Sequence, residues 1–113
     1  MAINNEKMAT YKFLSEMYAD SYFPDFLVDK GKAILVYLCE EIETQNPTDL
    51  AALYELTHAS TSAFNELQEE FYKNNSEIET AARDCIGTDF EFIANAYGYD
   101  SADVEELIAT RDW

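Results

Sequence analysis

Leu50, Leu53, Thr57, Ser60, Phe64, Leu67 and Phe71 recur at alternating three- and four-residue steps, which sets all of them on one stripe of an α-helix. From Leu50 to Phe71 such a helix rises about 32 Å, and its apolar stripe is stable only when packed against other elements. Similar spacing recurs along the chain, strand-type alternation is nearly absent, and three Gly and two Pro are the only strong punctuation. The fold class is therefore all-α.

Reading from the N-terminus, residues 5–20 are expected to form a first helix with Met8, Tyr11, Leu14 and Tyr18 on one face. Pro24 restricts Phe23 to extended conformations and ends it. A second helix over 25–45 carries Leu27, Ile34, Leu35, Leu38 and Ile42. Its middle, AILVYLC, is apolar nearly all round and marks it as the central, most buried helix. Asn46-Pro47 stops it, and Thr48 with Asp49 offers an N-cap and first-turn acid for a third helix running to about Lys73. After the Asn74-Asn75 turn, Ser76-Glu77-Ile78-Glu79 has the form of a capping box. The fourth helix that follows presents Ile78, Ala82, Cys85, Ile86, Phe92, Ile93 and Ala96 on its apolar face. Gly87, followed by Thr88 and Glu91 in a second box, predicts a kink or break there. Gly98 ends this helix, and Asp100 or Ser101 caps a short one to about Ala109. The expectation is a single helical domain over 1–113, a compact bundle of four long helices plus a short C-terminal helix, without repeats or linkers.

A chain of 113 residues supports one core, and 48% hydrophobic residues with eight Tyr and seven Phe set it apart from disordered acidic sequences. No run of about eighteen apolar residues occurs, and MAINNEKMATYK is polar where a secretory signal is apolar, which points to a cytoplasmic protein. Cys39 and Cys85 each lie in an apolar helical pattern, so two buried reduced thiols are expected rather than a disulfide. Two cysteines and one histidine do not furnish a structural zinc site within one chain.

The formal charge of −16 is unevenly spread. Residues 1–38 hold four Lys against five acids, giving −1, while residues 39–113 hold three basic against eighteen acidic residues, giving −15. That field repels phosphate backbones and anionic lipid, so no direct nucleic-acid or membrane binding is expected, and a basic protein partner is compatible with it.

The stretch Tyr54-Glu55-Leu56-Thr57-His58 contains Glu-x-x-His, the spacing with which helical bundles hold metals. Phased against the stripe, Glu55 and His58 fall on the outer face. His58 is therefore expected to be solvent-accessible, with no carboxylate of a second helix placed to share a metal with it. Thr57 and Ser60 are small residues within the buried stripe. They fit a close helix crossing with hydroxyls bonded back to the preceding turn, or, in the alternative enzyme reading, a small-molecule or metal pocket extending toward Gly87. Phosphate-binding, calcium-binding and serine-nucleophile motifs are absent, and no catalytic residue, cofactor or metal is assigned.

Two surfaces remain. The aromatic residues Tyr18, Tyr22, Phe23 and Phe26 surround Pro24 and either seal one end of the bundle, the preferred reading, or present an interaction patch usable by a homodimer. Glu66, Glu69, Glu70, Glu77 and Glu79 surround the turn after the third helix, joined by Asp100, Asp103, Glu105 and Glu106 near the C-terminus. These nine acids are the candidate protein-binding surface.

The segments YFPDFLVDKGKAIL, ALYELTHASTSAFNELQEEF, SEIETAARDCI and FEFIANAYGYDSADVEELIATRDW together resemble a family of small bacterial proteins known only as a domain of unknown function. The resemblance spans nearly the whole chain and is most specific in the C-terminal segment. It implies a stand-alone soluble bacterial protein, and it carries over no activity, ligand or site residue. The functional expectation is a non-enzymatic acidic helical protein that binds a basic protein surface, as an inhibitor, immunity factor or mimic of nucleic-acid charge.

Overall fold

The computed structural model describes residues 3–113, which form helices α1 (Glu6–Ala9), α2 (Ser15–Tyr18), α3 (Asp25–Gln45), α4 (Leu50–Lys73), α5 (Thr80–Ala96) and α6 (Val104–Leu107). Three are long, at 21, 24 and 17 residues, and three are single turns. No strand occurs among the described residues. The expected four long helices are thus three, and the shortfall lies at the N-terminus.

α3 and α4 share the most extensive helix–helix contact and run antiparallel, Lys30 near the start of α3 pairing with Glu70 near the end of α4. The turn between them is built locally. Asn46 ends α3 in the left-handed region (φ 47°), and the Asp49 carboxylate caps α4 by accepting from the Ala52 N–H at 2.8 Å. Asp49 is therefore the cap itself rather than a first-turn acid. The stripe points inward as its spacing requires, with Leu53, Thr57, Ser60, Phe64, Leu67 and Phe71 buried. α3 is less enclosed than its composition suggests, because Tyr37 is 60% exposed and Ile34 and Val36 are only half-buried.

α4 ends in a paired turn: Asn75 is left-handed (φ 59°), its N–H reaches Tyr72 O, and the Ser76 N–H reaches Phe71 O. Ser76 belongs to this stop, not to a capping box. Its hydroxyl donates to Tyr22 O at 2.9 Å, and α5 begins at Thr80 with no side-chain cap from Glu79. α5 then continues through Gly87 without the expected break. A glycine costs a helix interior about 1 kcal/mol, too little to interrupt a helix packed on both sides of the site. At Gly87 the backbone faces Val104 and Ile108 of the C-terminal segment, each with a methyl 3.7 Å from where a Cβ would stand. The buried aromatic of this helix is Phe90, whereas Phe92 is 36% exposed and stacks on Tyr11 at 4.2 Å. Gly98 (φ 90°) closes α5 with the same paired pattern, Gly98 N–H to Asn95 O and Tyr99 N–H to Ala94 O. The last helix is a single turn capped by Asp103, not by Asp100 or Ser101.

Residues 5–20 do not form one helix. Leu14 adopts a left-handed conformation (φ 54°) between α1 and α2, and its N–H goes to the carboxylate of Asp89 on α5 at 2.7 Å instead of to a preceding carbonyl. The Tyr11 hydroxyl donates to the other Asp89 oxygen. A buried carboxylate thus captures the donor a continuous helix would have used. The bent strap buries Met8, Phe13, Leu14 and Met17.

Candidate functional site

His58 is partly solvent-accessible, as its phase on α4 requires, and it is also bonded to the C-terminal segment. Its Nε2 sits 2.7 Å from Glu106 O, and a carbonyl only accepts, so Nε2 carries the proton. Glu106 also brings a carboxylate oxygen of α6 to 3.8 Å. The side chain is 28% exposed and stacks parallel to Tyr54. His58 is one rung of a polar ladder. Along α4, the Tyr54 hydroxyl accepts from Asp103 N–H, Thr61 donates to Leu107 O, Asn65 bonds both Thr110 O and Asp112 N–H, and Gln68 donates to Asp112. Tyr54, His58, Thr61, Asn65 and Gln68 repeat the four-and-three spacing one residue behind the apolar stripe, and they hold the segment 103–113 against α4. Arg83 of α5 completes it by donating to Trp113 O at 3.1 Å. Glu55 is exposed and takes no part, and among the described residues no group of three or more His, Cys, Asp and Glu converges to hold a metal ion.

The residues of the alternative pocket are dispersed. Thr57 is buried with its hydroxyl bonded back to Tyr54 O, Ser60 borders a groove between α3 and α4, and Gly87 borders a separate cleft beneath Val104 and Ile108. Thr57 and Ser60 share the inward stripe of α4, while Ser60 and Gly87 border separate spaces.

The nine candidate acids fall into two groups. Glu66, Glu69, Glu77 and Glu79 are exposed at the end of the bundle where α4 turns into α5, and Glu70 is held there by Lys30. Asp100, Asp103, Glu105 and Glu106 surround α6; Asp103 caps it, Glu105 pairs with Arg111 at 3.4 Å, and Glu106 faces His58. Asp103 sits beside Tyr54, fifteen residues and thus about 22 Å along α4 from Glu69. The aromatic residues divide as well. Phe23 is buried against Phe71, Tyr18 is half-buried with its hydroxyl on Asp29, and Tyr22 and Phe26 are 40% and 54% exposed. The Ser76–Tyr22 bond sets this loop directly against the acidic turn, and Tyr72, also exposed, lies at the end of α4 in the same region. Sequence order did not reveal that adjacency, because Tyr22 and Ser76 are 54 residues apart.

Over residues 7–113 the sequence matches a family described as a family of unknown function (DUF5713). The chain belongs to that family. No curated protein and no solved structure matches it. The DUF5713 match begins at Lys7, so it takes in the Asp89-bound strap, the polar ladder and the acidic turn, and leaves out Asn4 and Asn5.

Those two residues make a second carboxylate anchor in this DUF5713 protein. Glu43 of α3 accepts from the N–H groups of Asn4 and Asn5 at 2.9–3.1 Å and from the Tyr97 hydroxyl. Burial alone would raise the Glu43 pKa, but these hydrogen bonds together outweigh it and hold the group below its ordinary 4.5. A depressed carboxylate pKa contributes stability that is present above the unfolded value and lost as pH falls through the folded one. Glu43→Gln is therefore expected to narrow its stability gap to the native chain as pH drops below about 4.5; thermal melts across that range measure it, and a gap independent of pH would refute the assignment. Asp89 shifts the opposite way, because burial at 3% exposure outweighs its bonds from Tyr11 and Leu14 and raises its pKa. Both thiols are free and buried, and burial pushes Cys39 up to about 12 and raises Cys85, which leaves them protonated and unreactive.

Among the described residues no helix is long and apolar enough to cross a membrane.

Proposed function

We propose that this protein is a non-enzymatic interaction module whose acidic, aromatic end binds a basic surface on a protein partner. The observation that carries the reading is the juxtaposition of exposed Tyr22, Phe26 and Tyr72 with exposed Glu69, Glu77 and Glu79 where α3 begins and α4 ends. Large rings supply contact area at low entropic cost, and carboxylates around them steer a cationic partner and fix its register. The fold does not need this charge, since the acids at the turn are exposed and the core is closed without them. The charge of −15 on residues 39–113 suits an inhibitor, an immunity factor or a mimic of nucleic-acid charge. A cytoplasmic location belongs to the same proposal, supported by two buried free thiols.

Affinity purification from the source cells at low salt is expected to recover a basic protein whose complex weakens as ionic strength rises. Replacing Glu69, Glu77 and Glu79 together by Gln should slow association about tenfold with little change in dissociation. Recovery of no basic partner, or a complex indifferent to salt, would sink the proposal.

A further inference from the structure

The outer face of the α3–α4 pair carries a groove of about 430 Å³, floored by Ala33, Ile34 and Tyr37 of α3 and by Leu56, Ala59 and Ala63 of α4. The short helices and the C-terminal segment pack elsewhere: α6 lies on α4 and α5, and the N-terminal strap on α3 and α5. No described segment of the chain covers the groove, and Ala33, Tyr37 and Ala59 are exposed. The three alanines let a third backbone approach to ordinary helix-packing distance, about 8–10 Å between axes. From Ala33 to Glu41, which closes one end, the groove is about 12 Å long, a little over two helical turns.

Charge selects the occupant. Glu55 and Glu66 share the α4 face of Ala59, Glu41 stands on α3, and Lys30 at the far end is already engaged by Glu70. Three acids thus flank the groove, and the cation at its end, Lys30, is compensated by Glu70. A second copy of this chain in an isologous pairing would set these carboxylates against their own equivalents and add −16 to −16. We infer that the groove receives an amphipathic helix from a protein partner, its apolar ridge on Ala33, Tyr37, Ala59 and Ala63 and its flanking Lys or Arg against Glu41, Glu55 and Glu66. This deepens the proposed function by giving the basic partner a specific element and a second place to dock.

The test uses a fluorescein-labelled helical peptide of about four turns, with Leu at i, i+3, i+4 and i+7 and Arg on both flanks, read by anisotropy against the full chain. Saturable binding is expected, with a scrambled peptide of identical composition at least about tenfold weaker. Ala59→Arg and Tyr37→Ala are each expected to weaken binding at least about tenfold, while Glu77→Gln with Glu79→Gln stays within about twofold. Both altered groove positions are exposed, and circular dichroism with Trp113 fluorescence verifies that each variant is folded. The groove assignment is overturned if neither peptide binds, if the scrambled peptide binds equally, or if Ala59→Arg binds as the native chain does. It is also overturned if sedimentation shows a dimer that Ala59→Arg dissolves, because the occupant is then a second copy. Equal binding of both peptides that is lost on neutralising Glu77 and Glu79 would refute the groove and leave the acidic end standing. Groove binding without any salt-sensitive partner from the source cells would do the reverse.

Discussion

Replacing Phe64 by Ala is expected to lower the free energy of unfolding by about 3–5 kcal/mol, a large share of the roughly 5–15 kcal/mol typical of a domain. Phe64 is 1% exposed at the centre of the molecule, with the rings of Phe90 and Trp113 each 6.1 Å away between centroids. It also packs against the backbone of Gly31, where an added Cβ would stand 3.1 Å from the Phe64 ring and 2.9 Å from Leu14 Cδ1. One ring thus joins α3, α4, α5 and the C-terminal segment. Truncation leaves a void bordered by rigid helix backbone on the α3 side, which limits collapse into it. Urea unfolding followed by Trp113 fluorescence and by circular dichroism measures the loss. A change below about 1.5 kcal/mol would mean that the surroundings close over the void and that Phe64 is not the central contact. Gly31→Ala provides a coupled check. In the native background the gain in helix propensity, about 1 kcal/mol, is opposed by overpacking against Phe64 and Leu14. With Phe64 truncated its share of that opposition is relieved and Leu14 gains room to shift, so the two substitutions should be measurably non-additive.

Asp89→Ala is expected to cost about 2–3 kcal/mol and to strip hydrogen-exchange protection from residues 11–18 while α3 and α4 keep theirs. The loss arises mainly at Leu14. Its N–H is buried, its backbone is left-handed, and the Asp89 carboxylate is its partner at 2.7 Å. Asp89→Asn separates the hydrogen bonds from the charge. The amide oxygen can accept from Leu14 N–H while the amide nitrogen donates to the Tyr11 oxygen, and no charge is buried, so a change within about 1 kcal/mol is expected. The pH dependence follows from the raised Asp89 pKa. A raised carboxyl contributes stability that is fully present below the unfolded value of about 3.8 and lost as pH rises through the folded value. The native chain should therefore fall in stability relative to Asp89→Asn as pH rises from about 3.8, the reverse of the Glu43 trend. Parallel stability curves for the two chains would show that the carboxylate is not the titrating group.

The periodicity of α4 was legible residue by residue, including the inward placement of Thr57 and Ser60, because a helix stripe depends only on the 3.6-residue repeat. A second stripe, Tyr54, His58, Thr61, Asn65 and Gln68, was equally present in the spacing, yet its meaning was hidden. Polar residues at helical intervals face water unless something covers them, and what covers these is a segment about fifty residues downstream. Glu-x-x-His therefore reads as chemistry in isolation and as a docking rung in the fold. The N-terminal strap failed for a similar reason. Nothing local to residues 5–20 forbids a helix; Asp89 breaks it from α5, 75 residues away. At Gly87 the error ran the other way, since a local helix-breaking signal yielded to packing on both faces of α5.

By itself, the sequence determined the all-helical class, the extents of α3 and α4, the turns at Asn46-Pro47 and Asn74-Asn75, and the concentration of negative charge after residue 38. Each depends on neighbours within a few residues or on composition alone. Only the tertiary structure decided that two buried or half-buried carboxylates, Glu43 and Asp89, anchor the N-terminal strap. It also set the exposed aromatic residues beside the acidic turn and left the alanine-floored face of α3 and α4 uncovered. Those features depend on which long-range pairs meet, and a side chain's charge or size fixes what it can bond without specifying which distant donor reaches it.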